Sequence, residues 1–371
     1  MEGSGVNSTD DYDSTVSLLD DDYSISANED DGTVTVKTLL GAITGVKEML
    51  PSGDEVCKFL GIPYAKPPVA ERRFMPPVPT GFFGEMNAME FGSKCVQNGD
   101  FTGGDLFDKT ITGSEDCLFL NVYTKLGDDM MDNSSIPAKH NAYAGKAVMV
   151  WIHGGGFTLG SGDEYNPAPL LAEDVIVVTL NYRLGGFGFL TFGNDIVSGN
   201  MGLKDQIEAI KWVQRNIIYF GGDPNKVTIF GESAGGISVS ALHVSPKAMG
   251  LFSGAIMQSG TVLFRRDDPK KSADERAVLP LAKNFNCTSP NYDYRTLKCL
   301  QQIDAVEFHA QTLTEVLSVD KEEEDQDRGS WGPVLDDYSS DPVMPTEPLY
   351  ALKTGKFNKV PIITGQDFVL F

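Results

Sequence analysis

The chain has 371 residues, of which 41% are hydrophobic and 22% charged, a composition typical of a globular protein. This excludes a wholly disordered chain, a collagen and a disulfide-rich miniprotein, and no apolar run approaches the length of a membrane-spanning helix. The net charge of −22 argues against electrostatic binding of nucleic acid or of an anionic membrane surface.

The first 32 residues differ in charge from the rest of the chain. They carry ten acidic and no basic side chains and show no apolar periodicity. We therefore expect residues 1–32 to form a disordered acidic tail, followed by one domain over residues 33–371. The start of the chain also lacks the basic and apolar regions of a signal peptide, which favours a cytoplasmic protein.

Apolar runs of strand length follow, rich in β-branched residues, at 34–40, 56–62, 118–123, 147–152, 175–180, 227–230, 255–257 and 360–363. Helical patterns lie between them, and the clearest has apolar residues at Leu203, Ile207, Ile210, Val213 and Ile217. This spacing predicts one buried face of an amphipathic helix, which Gly221 and Gly222 end. The alternation predicts an α/β fold with a mostly parallel sheet and helices on both faces.

A glycine-rich loop follows one of the predicted strands. Residues 151–157 read Trp-Ile-His-Gly-Gly-Gly-Phe. Glycines let the backbone approach a substrate and direct its N–H groups towards it. Such donors stabilise the negative oxygen of an acyl-transfer intermediate, and one donor contributes about 3 kcal/mol. A flexible loop with no role in catalysis is the alternative.

A candidate nucleophile lies between a later strand and a helix. Residues 231–235 read Gly-Glu-Ser-Ala-Gly, after the β-branched run 227–230 and before a helix-compatible segment. This is the setting of a nucleophile elbow, in which small residues flank a tight turn that raises the Ser233 hydroxyl above the sheet. A plain turn with a capping serine is the alternative.

Cysteines and glycosylation sequons favour secretion, in conflict with the missing signal peptide. Five cysteines leave one over if the others pair, and sequons occur at Asn7, Asn133 and Asn286. The sequence leaves the compartment open.

Several longer motifs accompany these two loops. They are Phe-Leu-Gly-Ile-Pro-Tyr-Ala at 59–65, Ser-Glu-Asp-Cys-Leu-Phe-Leu-Asn-Val at 114–122, Asn-Tyr-Arg at 181–183, Gly-Gly-Asp-Pro at 221–224 and Gln-Ser-Gly at 258–260. Together they make the chain resemble the type-B carboxylesterase and cholinesterase family of α/β-hydrolases from about residue 33 onwards. The resemblance implies an α/β-hydrolase fold and a small-molecule ester as substrate, with no cofactor or metal.

The resemblance also implies roles for individual residues. Ser233 would be the nucleophile, and the backbone N–H groups of Gly155, Gly156 and Ala234 would form the oxyanion hole. Disulfides would join Cys95 to Cys117 and Cys287 to Cys299, which leaves Cys57 as a buried free thiol. Glu232 would lie near the acyl pocket and would not be the acid of a catalytic triad, because adjacent residues on a sharp turn point apart.

The other two members of the triad have no matching residues. Where the family has a glutamate, five positions after Gly365, this chain has Leu370, and the nearby Asp367 is out of register. The family histidine would lie further along than residue 371. The four histidines, His140, His153, His243 and His309, are expected to be structural. We therefore expect a chain truncated at the C-terminus and inactive or weakly active on its own.

Three functions remain open. The first is a carboxylesterase for neutral esters, because Phe107 stands where cholinesterases have the tryptophan that best serves a cation–π site. The second is a non-catalytic binding, adhesion or decoy protein related to cholinesterases. The third is a lipase-like or peptide-cleaving enzyme of the same fold.

Overall fold

The computed structural model of the protein describes residues 24–28, 31–99, 110–126, 145–264, 278–317 and 331–366. Thirteen strands lie in these ranges: β1 (Ile25–Asn28), β2 (Thr33–Thr38), β3 (Gly41–Met49), β4 (Glu55–Pro63), β5 (Gly84–Asn87), β6 (Gln97–Asn98), β7 (Ile111–Thr112), β8 (Phe119–Thr124), β9 (Lys146–Ile152), β10 (Ile176–Leu180), β11 (Gly222–Glu232), β12 (Gly254–Gln258) and β13 (Ile362–Gly365). The described α-helices are α1 (Ala168–Leu171), α2 (Gly185–Phe189), α3 (Met201–Asn216), α4 (Ala234–Val244), α5 (Leu279–Asn284), α6 (Tyr294–Leu300), α7 (Ala305–Leu317) and α8 (Pro348–Lys353).

One large mixed sheet organises the molecule. Its strand order is β1-β2-β3-β4-β8-β10-β9-β11-β12-β13, with β5 paired to β3. The strands from β10 through β9, β11 and β12 to β13 are parallel. The strands from β1 to β10 along this order pair antiparallel. The α/β-hydrolase fold expected from the sequence is confirmed, and its parallel part is the half that holds the candidate site.

All eight predicted strand regions contain strands, but the N-terminal part of the sheet is larger than predicted. The run 34–40 ends at a turn after Thr38, and the returning strand β3 was not predicted. Strand β1, which lies inside the segment 1–32, pairs with β2 immediately after that segment. The prediction of disorder is therefore wrong for residues 25–28, because Ile25 buries its side chain in the core. Residues 1–23, 29 and 30 lie outside the described residues.

Helix α3 confirms the predicted apolar face. Leu203, Ile207, Ile210 and Val213 are buried, and Ile217 begins the short 3-10 helix that follows. This segment ends at Gly221, which has a φ of 83°, a left-handed conformation that favours glycine. One large cluster of buried side chains extends from β1 to α8 and joins both halves of the sheet, and a second, smaller cluster lies around Val56, Tyr123 and Val177.

Candidate active site

Ser233 occupies the sharp turn between strand β11 and helix α4. Its φ of 55° and ψ of −120° are unusual for a residue with a Cβ. The Ser233 N–H donates to the carbonyl of Gln258 at 2.9 Å, and the Ile237 N–H donates to the Ser233 carbonyl at 2.9 Å. The side chain is half-buried. The turn is thus fixed from strand β12 on one side and from the first turn of α4 on the other.

Close backbone contacts explain the small residues around Ser233. A Cβ on Gly231 would lie 2.5 Å from the carbonyl oxygen of Ile152, and one on Gly235 would overlap the same oxygen. A Cβ on Gly260, which lies two residues after β12, would overlap the carbonyl oxygen of Ser233. The Gly-x-Ser-x-Gly pattern therefore reflects how tightly β9, the elbow and the start of α4 are packed.

The triple-glycine loop lies against this elbow. Strands β9 and β11 are parallel neighbours with Ile152 opposite Gly231, so the loops after both strands meet at the same edge of the sheet. A Cβ on Gly154 would lie 3.4 Å from the Cβ of Ser233. Gly155 and Gly156 have φ values of 103° and 60°, and Ala234 is buried. The start of the glycine loop thus lies against the turn that holds Ser233.

Two buried side chains, Gln97 and Tyr182, hold the backbone of the glycine loop and of the residues that follow it. Gln97 donates from Nε2 to the carbonyl of Gly160 at 3.1 Å, and its Oε1 accepts from the Gly160 N–H at 2.7 Å. The Tyr182 hydroxyl donates to the carbonyl of His153 at 3.0 Å. Tyr182 belongs to the Asn-Tyr-Arg motif, whereas no local pattern marks Gln97, since its partner is 63 residues away.

The described histidines occupy structural positions. His153 is fully buried, stacks on Tyr182 at 4.4 Å between ring centroids, and has its Nδ1 2.8 Å from the carbonyl oxygen of Gly154. Burial lowers the pKa of His153 to about 4. His309 is also buried, with its Nε2 2.8 Å from Oδ1 of Asn98, and burial lowers its pKa to about 4.

His243 packs its ring against Phe357 on the far turn of α4, and burial lowers its pKa. None of these three histidines forms a hydrogen bond with Ser233 in the described part of the chain. His140 lies outside the described residues, as do Asp367, Leu370 and Phe107. The described histidines therefore supply no base in hydrogen-bond contact with Ser233.

An aromatic and acidic cluster borders the elbow. Glu232 is exposed, and its Oε2 would lie 3.1 Å from a Cβ on Gly154. The ring of Trp151 lies 4.8 Å from that of Tyr165 and 4.9 Å from that of Phe230. Burial raises the pKa of Tyr165, and the charges of Glu164 and Glu232 raise it further. Negative charge thus lies beside the candidate nucleophile, and the sequence did not draw attention to Tyr165.

The remaining motif residues build the scaffold. Arg183 forms a buried bidentate ion pair with Asp205 of α3, with both N–O distances at 2.7 Å. Arg73 pairs with Glu115 and also donates to the carbonyl of Ile303 at 2.6 Å. These charges are paired and largely buried, so each ion pair fixes the positions of the segments that it joins.

Both expected disulfides are present. Cys95 bonds to Cys117 with 4.9 Å between Cα atoms, and Cys287 bonds to Cys299 with 5.4 Å between Cα atoms. Cys57 is a free and buried thiol in β4, and burial raises its pKa to about 11. A raised pKa keeps the thiol protonated and unreactive at neutral pH.

The described residues give two further findings. No group of three or more His, Cys, Asp or Glu side chains among them is arranged to hold a metal ion. None of the helices in the described ranges is both long and apolar enough to cross a membrane.

Comparison with known proteins identifies the family of this chain. The family model for the carboxylesterase family matches residues 30–367. The chain is 37% identical to a carboxylic ester hydrolase of Bombus ignitus, 39% to carboxylesterase 1C of Rattus norvegicus and 37% to a cholinesterase of Mus musculus. These alignments cover 89%, 84% and 92% of this chain but 55%, 53% and 54% of the relatives.

The chain therefore spans about half the length of the curated relatives that it matches. The elbow at Ser233, the triple-glycine loop, the two disulfides and every described strand of the mixed sheet except β1 lie within the matched range. The chain belongs to the carboxylesterase family.

Proposed function

We propose that the protein is a carboxylic ester hydrolase in which Ser233 is the nucleophile. The observation that carries this proposal is the backbone of Ser233, held at a φ of 55° between β11 and α4 with Gly154 against its side chain. A turn of this kind presents a hydroxyl at the edge of the sheet, next to backbone N–H groups. The names of the relatives, which include a carboxylic ester hydrolase and a carboxylesterase, support esters as the substrate class.

In the proposed reaction, Oγ of Ser233 attacks the ester carbonyl carbon and gives its proton to the activating base. The bond between that carbon and the alcohol oxygen then breaks, the departing oxygen takes the proton from the base, and an acyl-Ser233 intermediate remains. The backbone N–H groups of Gly155, Gly156 and Ala234 stabilise the negative oxygen of the tetrahedral intermediate, and each contributes about 3 kcal/mol. Ala234 is the first residue of helix α4, whose positive dipole end faces the same charge. Water then hydrolyses the acyl group.

We propose that the histidine and the acid that activate Ser233 lie outside the described side chains. His153 is tied to the glycine loop, His243 packs against Phe357, and His309 contacts Asn98. A serine hydroxyl without an adjacent base is a weak nucleophile, and loss of a triad member lowers turnover by about 10⁴-fold or more. We therefore expect a chain of these 371 residues to acylate slowly.

A fluorophosphonate probe tests the nucleophile. In the complete protein as its gene encodes it, we expect rapid labelling that Ser233→Ala abolishes. Ser238→Ala is the matched control, because Ser238 is a buried serine of the same helix that accepts a hydrogen bond from Gln206. Labelling that survives Ser233→Ala would exclude Ser233 as the nucleophile. A complete protein that is never labelled would favour the non-catalytic binding protein.

The same probe tests the missing base. The 371-residue chain is expected to label far more slowly than the complete protein, because oxyanion stabilisation alone remains. Rapid labelling of the 371-residue chain, abolished by Ser233→Ala, would show that a base is present within it.

We further propose that the substrates are neutral esters. Phe107 replaces the tryptophan of the choline subsite, although Glu232 places negative charge near the site. The loss of the tryptophan disfavours a cationic ester, whereas the charge of Glu232 favours one. Measurement of kcat/KM for phenyl acetate and for acetylthiocholine with the complete protein decides between these two effects. A clear preference for the cationic ester would overturn this part of the proposal and would point to Glu232.

A further inference from the structure

The turn after helix α5 places a glycosylation sequon on the surface, directly beside a disulfide. Residues 286–288 read Asn-Cys-Thr, which matches the acceptor pattern Asn-x-Ser/Thr. Asn286 and Thr288 are exposed, whereas Cys287 is buried and bonded to Cys299. Of the three sequons, this one lies within the described residues, while Asn7 and Asn133 lie outside them.

The backbone of this turn closes the end of the helix. The Asn286 N–H donates to the carbonyl of Lys283 at 3.1 Å, and the Cys287 N–H donates to that of Ala282 at 2.7 Å. Asn286 has a φ of 55°. These are the two hydrogen bonds and the left-handed residue of a Schellman motif. The motif uses backbone groups only, so a substituent on the side-chain nitrogen of Asn286 breaks none of its hydrogen bonds.

The disulfides supply independent evidence on the compartment. Disulfides form and persist in oxidising compartments, and the secretory pathway is also where asparagine glycosylation takes place. The chain has two disulfides, and one of them joins the middle residue of this sequon to Cys299. A chain that has closed this bond has therefore passed through conditions in which the sequon is a substrate.

We propose that Asn286 carries an N-linked oligosaccharide. The donor is a lipid-linked oligosaccharide diphosphate, and the Nδ2 atom of Asn286 attacks the anomeric carbon of its first sugar. The bond between that carbon and the diphosphate oxygen breaks, an N–C bond forms, the amide loses one proton, and the lipid diphosphate leaves with the electron pair. The hydroxyl of Thr288 makes Asn286 an acceptor. The modification is independent of the reaction proposed for Ser233.

Four forms of the complete protein test the proposal after expression in eukaryotic secretory cells. They are the wild type, Asn286→Gly, Thr288→Ala and Thr288→Ser. Glycine keeps the left-handed turn while it removes the amide, which matters because an asparagine also suits this conformation on structural grounds alone. Serine keeps the hydroxyl and alanine removes it at an exposed position, so neither change is expected to unfold the chain.

The readout is peptide mapping after N-glycosidase treatment in heavy-oxygen water, which converts a glycosylated asparagine to a labelled aspartate. We expect a labelled residue 286 in the wild type and in Thr288→Ser, and loss of the glycan in Asn286→Gly and Thr288→Ala. An unmodified Asn286 in wild-type protein with a closed Cys287–Cys299 bond would overturn the proposal. So would labelling that persists in Thr288→Ala, or protein recovered with Cys287 and Cys299 reduced.

Discussion

The buried histidines of this chain have structural contacts, whereas catalysis would require a histidine beside Ser233. His153 and His309 are both buried, and burial lowers the pKa of each to about 4. In the unfolded chain a histidine has a pKa of about 6.5. The unfolded state therefore takes up the proton first as the pH falls, and stability that is present above pH 6.5 is lost down to about pH 4.

This linkage gives a prediction at His309. Each of the two histidines should lower the free energy of unfolding by about 2 kcal/mol between pH 7 and pH 5. His309→Gln retains a donor for Asn98. This variant should remove about half of the loss in the free energy of unfolding that the two histidines together cause between these pH values. Urea unfolding at the two pH values measures it. A variant whose stability falls as steeply as that of the wild type would contradict the assignment.

The elbow at Ser233 also depends on Gly260, which has no side chain. A Cβ on Gly260 would overlap the Ser233 carbonyl, so Gly260→Ala must displace the turn. We expect fluorophosphonate labelling of the complete protein to fall by on the order of 100-fold, because a misplacement of about 1 Å has this effect. Gly81→Ala is the control, since nothing lies within 4 Å of its Cβ. Equal labelling of both variants would show that the turn tolerates displacement.

At the scale of elements, the apolar residues of helix α3 and of the 3-10 helix after it stabilise the fold according to how deeply each is buried. Ile217 is fully buried, whereas the next residue, Ile218, is 42% exposed. Ile217 lies close to Gly222, where strand β11 begins. The two isoleucines therefore differ in burial but not in chemistry.

Ile217→Ala should lower the free energy of unfolding by about 2–5 kcal/mol, because it leaves a cavity in the core. Ile218→Ala should cost less than about 1 kcal/mol, since a half-exposed side chain loses fewer contacts. Denaturant midpoints of the two variants measure the difference. Similar losses would mean that the end of this segment is not anchored by Ile217.

At the scale of the whole molecule, strand β13 forms one end of the described sheet. It pairs with β12 alone in the strand order, and all four of its residues are exposed. Ile362 and Ile363 are 49% and 64% exposed. An apolar edge strand with unpaired backbone groups is a template for association with another chain.

For a chain of the 371 residues alone, Ile363→Lys should therefore reduce self-association. Light scattering as a function of protein concentration measures this effect. Leu39→Lys is the matched control, because Leu39 is 61% exposed in the turn between β2 and β3 and lies on no sheet edge. If both lysines lower the scattering equally, net charge rather than the edge strand governs association.

The sequence by itself determined the local features. The Gly-x-Ser-x-Gly elbow, the triple-glycine loop and the apolar face of α3 each depend on residues within a few positions of one another. The family followed from several such motifs, and the matched range confirms it. Such local features can be predicted from the sequence because a tight turn or a helix face restricts the residue type at each of its positions.

Only the tertiary structure decided the rest. It placed β1 on β2, added β3 to the sheet and brought Gly154 against Ser233, which lies 79 positions later in the chain. It also showed that Arg183 pairs with Asp205 and that Gln97 holds Gly160. Such contacts join residues far apart along the chain, so no pattern within either segment encodes them, and they are fixed by the packing of one core.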